Sequence, residues 1–476
     1  MTNPLTFPSN FAFGAATAAF QIEGAAKEDG RRPSIWDHMC TEPGRILDGS
    51  DGSVACDHYH RMPADVDLMA SLNLDTYRFS TSWARVCPDG GPLNTAGADF
   101  YSRLVDHLLE KNIRPWLTLY HWDLPQALEE KGGWTNRDTA YRFADYASTL
   151  AEVLGDRVPI WTTLNEPWCS SFLSYAAGEH APGLQDPSAA VDAVHHLLLA
   201  HGLGIQALRD YDSNLTLGIT TNHTVAHPAD PDNPRDVDAA RRIDGAFNRI
   251  FLDPIFKGEY PADVLEDMSS AGLGEVCRAG DLEIISSPID VLGINFYNGG
   301  AFTTLAEDEP IPQPTNAAGL ALSTPFVGSE RVVGVDRHLP HTHMGWEVDA
   351  KDLRILLNRL QRDYTGPAGI PMVITENGAA YDDKPDQEGF VDDTDTRATY
   401  IRDHLKAVHA ALEDGVDIRG YLVWSLLDNF EWAWGYTRRF GIVRVDYETL
   451  TRTPKASALW YAQVARTHQL VPLEDT

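Results

Sequence analysis

Two glutamates stand at the ends of apolar runs, where a carboxylate needs a reason. Glu166 closes "WTTLNEPW" (Trp161 to Trp168), and Glu376 closes "PMVITENG" (Pro371 to Gly378). Short runs this rich in β-branched and apolar residues read as strands buried on both faces. A carboxylate at such a strand end is either satisfied locally or placed there for chemistry. Two of them flanking one bond are what hydrolysis of a glycosidic bond requires. One carboxyl carries a proton for the leaving oxygen, and the other is ionised at the anomeric carbon. A capping or loop role accounts for either glutamate alone far better than for both.

The elements that must position them recur along the chain. Eight runs read as strands: "FAFGAATAAF" from Phe11, "TYRFSTSW" from Thr76, "RPWLTLYH" from Arg114, "IWTTLNE" from Ile160, "LTLGITTN" from Leu215, "DVLGINFY" from Asp290, "PMVITEN" from Pro371 and "RGYLVWSL" from Arg419. Helical patterns lie between most of them. "ADFYSRLVDHLLEKN" places Phe100, Leu104, Val105 and Leu108 on one face, and "TAYRFADYASTLAEVLGD" and "TRATYIRDHLKAVHAALEDG" repeat the pattern. Eightfold alternation predicts the α/β class and a single (β/α)8 TIM barrel with long βα-loops over residues 1–476. The longest of these loops is a Pro/Gly-rich stretch from about Asn298 to Met344. No linker-like tract and no internal repeat divides the chain.

Glu166 and Glu376 fall on the fourth and seventh strands, which face each other across one barrel mouth. Other polar and aromatic groups gather at the same strand ends: Arg78, His121-Trp122-Asp123, Asn165, Asn295 to Tyr297 and Trp424. Barrel enzymes hold their active sites at the C-terminal ends of the strands.

Composition narrows the partners. A formal charge of −31 argues against nucleic acid and anionic membranes, both of which need a basic surface. The 12 Trp and 17 Tyr suit a site that covers sugar rings, although a large core absorbs most of them. Cys40, Cys56, Cys87, Cys169 and Cys277 show neither a disulfide framework nor zinc spacing. No secretory signal and no membrane-length apolar run is visible, which implies a cytoplasmic protein. The glycosylation patterns at Asn214 and Asn222 then carry no weight. "GLGIQA" from Gly202 follows a helical run, so a dinucleotide site is not expected. His195, His196 and His201 read as residues of one helix, His341 and His343 lack further ligands at a recognisable spacing, and "DPDNPRD" lacks the glycine of a calcium loop. No cofactor and no metal is expected.

"AFQIEG", "YRFSTSW", "YHWDLP", "TLNEPW", "GINFY", "ITENG" and "DNFEWAWGYTRRFGIVRVD" together resemble glycoside hydrolase family 1, the β-glucosidases, from Phe11 to about Tyr461. The resemblance implies that Glu166 is the general acid/base and Glu376 the nucleophile of a retaining double displacement. It implies that Gln21, His121, Asn165, Glu431 and Trp432 bind the hydroxyls of the non-reducing sugar and that Trp424 is the platform under its ring. Arg78 and Tyr297 match neighbours of the nucleophile, and Asn295 a polar neighbour of the site. Trp168 and Trp346 match aromatic walls around the leaving group, and Phe440 a closing side of the sugar pocket. The implied partner is a small β-glucoside or oligosaccharide, with β-galactoside or β-fucoside activity as the alternative. A homo-oligomer is left open. A 6-phosphosugar is the less favoured reading: Arg438 and Arg439 could hold a phosphate, but the Glu431 carboxylate would repel one.

Overall fold

The eight apolar runs form a closed parallel barrel in the computed structural model, which describes residues 5–473. The strands are β1 (Ala12–Ala16), β2 (Thr76–Ser80), β3 (Arg114–Tyr120), β4 (Ile160–Asn165), β5 (Thr216–His223), β6 (Val291–Phe296), β7 (Met372–Asn377) and β8 (Ile418–Trp424). Each pairs with the strand before and after it in sequence, and β8 closes the ring on β1. The outer helices are α1 (His58–Ser71), α2 (Thr95–Glu110), α3 (Asp138–Leu154), α4 (Pro187–Tyr211), α5 (Ile250–Lys257), α6 (Ala350–Leu360), α7 (Thr399–Glu413) and α8 (Ala456–Thr467).

Burial on both faces explains why the strands are so apolar. Outside, helix stripes cover them: Phe100, Leu104, Val105 and Leu108 of α2 are all buried, as their spacing predicts. Inside, Trp116 of β3, Val291 of β6, Val373 of β7 and Leu422 of β8 form a separate apolar cluster. Strands that are not neighbours meet only through the barrel interior, so this cluster fills it and leaves the C-terminal strand ends for polar groups.

Two segments depart from the pattern read in the sequence. The apolar run from Phe11 to Phe20 is a strand only over Ala12–Ala16, and Ala19–Ile22 forms a helical turn. The run stays apolar because the turn is itself buried, with the Phe20 ring packed against Trp36, Phe430 and Trp432. The stretch from Asn298 to Met344 is not wholly irregular. Gly300–Thr304 pairs antiparallel with Val332–Val335 and parallel with Ala226–Pro228. These strands are short and half-buried, so they leave little periodic signal.

A buried ionic network ties the loops after β7 and β8 to the start of α8. Lys455, fully buried, donates to Asp428 at 2.7 Å and also to Asp383. Arg397 reaches Asp383 at 2.9 Å and pairs with Asp393, and Arg439 donates to Asp428 at 2.7 Å. Removing one partner leaves buried charge uncompensated. Lys455→Met should therefore lower the unfolding free energy by about 3–5 kcal/mol, measured by urea denaturation. A loss under about 1 kcal/mol would show that the network does not hold these loops.

Candidate active site

The strand ends bring the two glutamates to one cavity of about 360 Å³. Glu376 lies inside β7, opposite Asn295 of β6, at an irregularity in the register between Ile374 and Glu376. Such irregularities re-aim a side chain. The next residue, Asn377, points the other way and is held by Tyr421 at 2.5 Å and the Phe296 carbonyl at 2.6 Å. Gly378 is required behind it, because a Cβ there would lie 1.8 Å from the Trp424 carbonyl oxygen.

Glu166 sits one residue beyond β4 with φ +48°, in the left-handed region that non-glycine residues rarely adopt. Trp122 (φ +80°) and Trp432 (φ +46°), which line the same cavity, share that geometry. Backbone strain of this kind costs about 1–3 kcal/mol per residue and persists where the surroundings over-determine it. At Glu166 the surroundings are clear. Its N–H donates to the Thr220 carbonyl of β5 at 2.9 Å, and its own carbonyl accepts from Cys169 at 3.0 Å. Pro167 opens the helix that follows, where its missing N–H does no harm.

A continuous set of hydrogen bonds joins the two carboxylates. Arg78 of β2 is 1% exposed, and its guanidinium donates to Glu376 Oε1 at 2.5 Å and to Asn165 Oδ1 at 2.6 Å. Asn295 Nδ2 donates to the same Asn165 oxygen at 3.1 Å and to Glu166 Oε1 at 2.6 Å. The Tyr297 hydroxyl donates to Glu376 Oε2 at 2.7 Å. Asn165 Nδ2 faces His121 Nε2 at 3.0 Å, so that ring nitrogen accepts. Burial, followed by the charge of Arg78, holds the His121 imidazole well below its ordinary value, so it is neutral.

Charge is distributed unequally over this set. Burial first, then the negative charge of Glu376, push Glu166 up to about 8. Burial raises Glu376 too, but the Arg78 guanidinium, then the Tyr297 hydroxyl, act against that rise. Of the pair, Glu376 ionises first and Glu166 keeps the proton. Glu431 is also pushed up to about 8, by burial and then by Glu376 and Glu166.

The walls are aromatic. His121 stacks near Trp424 (5.6 Å between centroids, 21°), and Trp432 lies 6.0 Å from His121 at the same tilt. Toward the mouth, Trp168 stacks on Phe247 at 4.2 Å, and Trp346 packs against Tyr297 and Phe440. Among the described residues, Gln21 Oε1, His121 Nδ1, Trp168 Nε1 and Asn222 Oδ1 are buried without a protein hydrogen-bond partner. Gln21 Nε2 is committed to the Phe430 carbonyl at 2.8 Å and Asn429 at 3.1 Å, which leaves its oxygen free.

Most residues picked from the sequence line the cavity: Glu166, Glu376, His121, Tyr297, Trp424, Glu431, Trp432, Trp168, Trp346 and Phe440. Arg78, Asn165 and Asn295 lie one layer behind and hold the glutamates; Gln21 lies behind Glu431, 3.5 Å from its carboxylate. Sequence reasoning did not single out Cys169, Glu179, His180, Asn222, Phe247 or Trp434, which also line it. Trp434 stands in a motif that was read and Asn222 ends a run read as a strand, but the others lie off the strand-end pattern.

The residues set aside in the sequence fall elsewhere. His195, His196, His201 and "GLGIQA" all lie in α4. His195 bonds Tyr260 and Asp281, each at 2.9 Å, and Asp281 is also paired with Arg137. Folding brings His195, Cys277 and Asp281 together, and likewise Asp336, His341 and Glu347, groupings that the spacing did not reveal. In each, a carboxylate is already neutralised by an arginine, Arg137 or Arg337. Arg439 is committed to Asp428, and Arg438 stacks over Trp434 at 4.2 Å.

Residues 3–470 match the family described as Glycosyl hydrolase family 1. A thermostable β-glucosidase B from Thermobispora bispora is 49% identical over 469 residues, 98% of this chain and 92% of that one. A bifunctional β-D-glucosidase/β-D-fucosidase from Bifidobacterium breve is 46% identical over 476 residues, 98% of this chain and 99% of that one. The crystal structure of a psychrophilic β-glucosidase from Micrococcus antarcticus superposes with a TM-score of 0.94 at 55% identity, covering 98% of this chain and 100% of that one. A family 1 β-glucosidase from Thermotoga maritima superposes with a TM-score of 0.90 at 40% identity, covering 99% and 100%.

Proposed function

The chain belongs to glycosyl hydrolase family 1, and from that premise we propose how its cavity works. The protein is a retaining β-glucosidase. It hydrolyses terminal non-reducing β-D-glucosyl residues of short β-glucosides and cello-oligosaccharides, a step in cellulose degradation, and residues 1–476 act as one catalytic domain. The observation that carries the reading is the bonded chain Glu376–Arg78–Asn165–Asn295–Glu166 beside one cavity.

In the first half-reaction an oxygen of Glu376 attacks the anomeric carbon as the bond to the leaving oxygen breaks. Glu166 gives that oxygen its proton. Arg78 and Tyr297 hold the two Glu376 oxygens and keep the carboxylate aimed. Esterification removes the Glu376 charge, which is the second-largest cause of the rise at Glu166. Glu166 then becomes more acidic. In the second half-reaction it takes a proton from water as water attacks the same carbon and Glu376 leaves. Two inversions give retention, which requires carboxyl groups about 5–5.5 Å apart.

Gln21 Oε1, His121 Nδ1, Glu431 and Trp432 bind the glycone hydroxyls above the Trp424 ring. The second N–H of Asn165 faces the 2-hydroxyl, and Trp168, Trp346 and Phe440 enclose the leaving group and the sugar. A phosphate dianion on the sugar would enter a wall that already carries the Glu376 charge and two carboxyls, Glu166 and Glu431, whose ionisation is already opposed by burial. Arg439, committed to Asp428, is not available to offset it. No helix among the described residues is long and apolar enough to cross a membrane. All five cysteines are free thiols, which suits a reducing, cytoplasmic location; activity recovered outside the cytosolic fraction would contradict that placement.

A panel of aryl β-glycosides tests the substrate. Glucoside should be turned over, fucoside and galactoside should follow, and glucoside 6-phosphate should be far slower. A faster 6-phosphate would overturn the glucoside reading. The charges also predict a bell-shaped pH profile. On cellobiose, kcat/KM should fall as pH rises through the Glu166 value near 8, where the acid loses its proton. It should fall again at low pH, as Glu376 gains one. A profile flat from about pH 6 to about pH 10 would contradict the assignment.

A further inference from the structure

The cavity wall beside Glu166 carries a thiol that the two half-reactions do not use. Cys169 Sγ lies 3.1 Å from Glu166 Oε2. Asn222 Nδ2 points at the same sulfur from 3.6 Å, so the sulfur accepts on that side and its one hydrogen is left for Glu166. Thiol and carboxyl also share a turn, since the Cys169 N–H donates to the Glu166 carbonyl at 3.0 Å.

The other Glu166 oxygen is already committed. Asn295 Oδ1 accepts from Thr375 at 2.8 Å, so its Nδ2 is the end that faces Glu166 Oε1 at 2.6 Å. A donor pressed against Oε1 disfavours the carboxyl proton on that oxygen, since a protonated oxygen is the poorer acceptor. That proton is better placed on Oε2, the oxygen that Cys169 touches. A thiol suits such a position, because it donates weakly and accepts weakly.

We propose that Cys169 is a positioning residue for Glu166: its thiol donates to Oε2 when Glu166 is ionised, yields when Oε2 is protonated, and so favours the base form used in the second half-reaction. The inference rests on the acid/base reading of Glu166. The charged and titratable groups around Glu166 are Glu376, Arg78, Glu431 and Tyr297, with Glu179 acting on Cys169. Among the described residues none of these donates to Oε2. Burial, then the charge of Glu166, hold the thiol well above its ordinary value, so it remains S–H over the working range.

The test is kcat/KM against pH for the unaltered enzyme, Cys169→Ser and Cys169→Ala, on cellobiose and on dinitrophenyl β-glucoside. A hydroxyl donates more strongly than a thiol, and alanine cannot donate. Cys169→Ser should move the alkaline limb on cellobiose down by roughly 0.5–1 pH unit, and Cys169→Ala should move it up by about 0.5, with the acid limb in place. A packing role would lower rates without opposite shifts. Limbs that stay put, or move the same way in both variants, would overturn the inference. Should Cys169→Ala fail to fold, the sign of the Cys169→Ser shift decides alone. Dinitrophenolate leaves without a proton, so the alkaline limb should be nearly absent on that substrate. A limb equally steep there would overturn the acid reading of Glu166, and this inference with it.

Discussion

Glu376→Gln should lower kcat on an aryl β-glucoside by about 10⁴-fold or more, the scale expected for removal of a nucleophile. The amide fills the same space but cannot form the ester, so the loss falls on chemistry while KM changes little. The variant also leaves the Arg78 guanidinium buried without its carboxylate, 2.5 Å from where the charge was. Some stability is lost as well, and a thermal melt run beside the kinetics separates the two effects. Activity within tenfold of the unaltered enzyme, in a folded variant, would remove Glu376 from the mechanism.

Glu166→Ala has the second-largest effect, and its size should depend on the leaving group. On cellobiose, whose leaving sugar needs a proton, general acid catalysis contributes about 10²–10⁴-fold, and the loss should reach the upper end of that range. On dinitrophenyl β-glucoside the first half-reaction should proceed nearly as before. Glycosyl-enzyme should then accumulate, because no base activates water. Azide, which needs no base, should restore turnover on this substrate and yield a glycosyl azide of the β configuration. Equal losses on both substrates, without azide recovery, would mean that Glu166 shapes the cavity and does not transfer protons.

Much of this was legible in the sequence because barrel strands buried on both faces announce themselves. β2, β4, β6 and β7 each carry, within or just beyond their C-terminal halves, a polar residue that such burial cannot tolerate without a purpose. Arg78, Asn165-Glu166, Asn295 and Glu376 were found by that contrast. What stayed hidden has equally physical reasons. Glu179, His180 and Phe247 reach the cavity from a loop and a helical turn, and no local period marks such a path, whereas Asn222 does stand at the C-terminal end of β5 and was passed over. The contact between Cys169 and Glu166 depends on the left-handed φ of Glu166 and the π-helical turn over Cys169–Ala177. That geometry is set by tertiary packing and is not legible in "NEPWC". His341 meets Asp336 and Glu347 through a local turn, closed by a bridge between His341 and Glu347, at a spacing that matches no ligand motif. Ala19 and Phe20 were placed in a strand by apolarity alone, although they ride on a buried helical turn. Buried loops and buried strands share composition, and only pairing partners distinguish them.

The central claim is that Glu376 becomes covalently attached to the sugar while Glu166 manages the proton. Incubation with dinitrophenyl 2-deoxy-2-fluoro-β-D-glucoside, followed by intact-mass and peptide mass spectrometry, tests this most directly. The fluorine slows both half-reactions, and the activated leaving group lets only the first proceed. The account predicts stoichiometric gain of one fluoroglucosyl group, carried by the peptide containing Glu376 and released when a glucoside acceptor is added. An adduct on Glu166 or Glu431, or no adduct from an enzyme that turns over the unfluorinated glucoside, would contradict it.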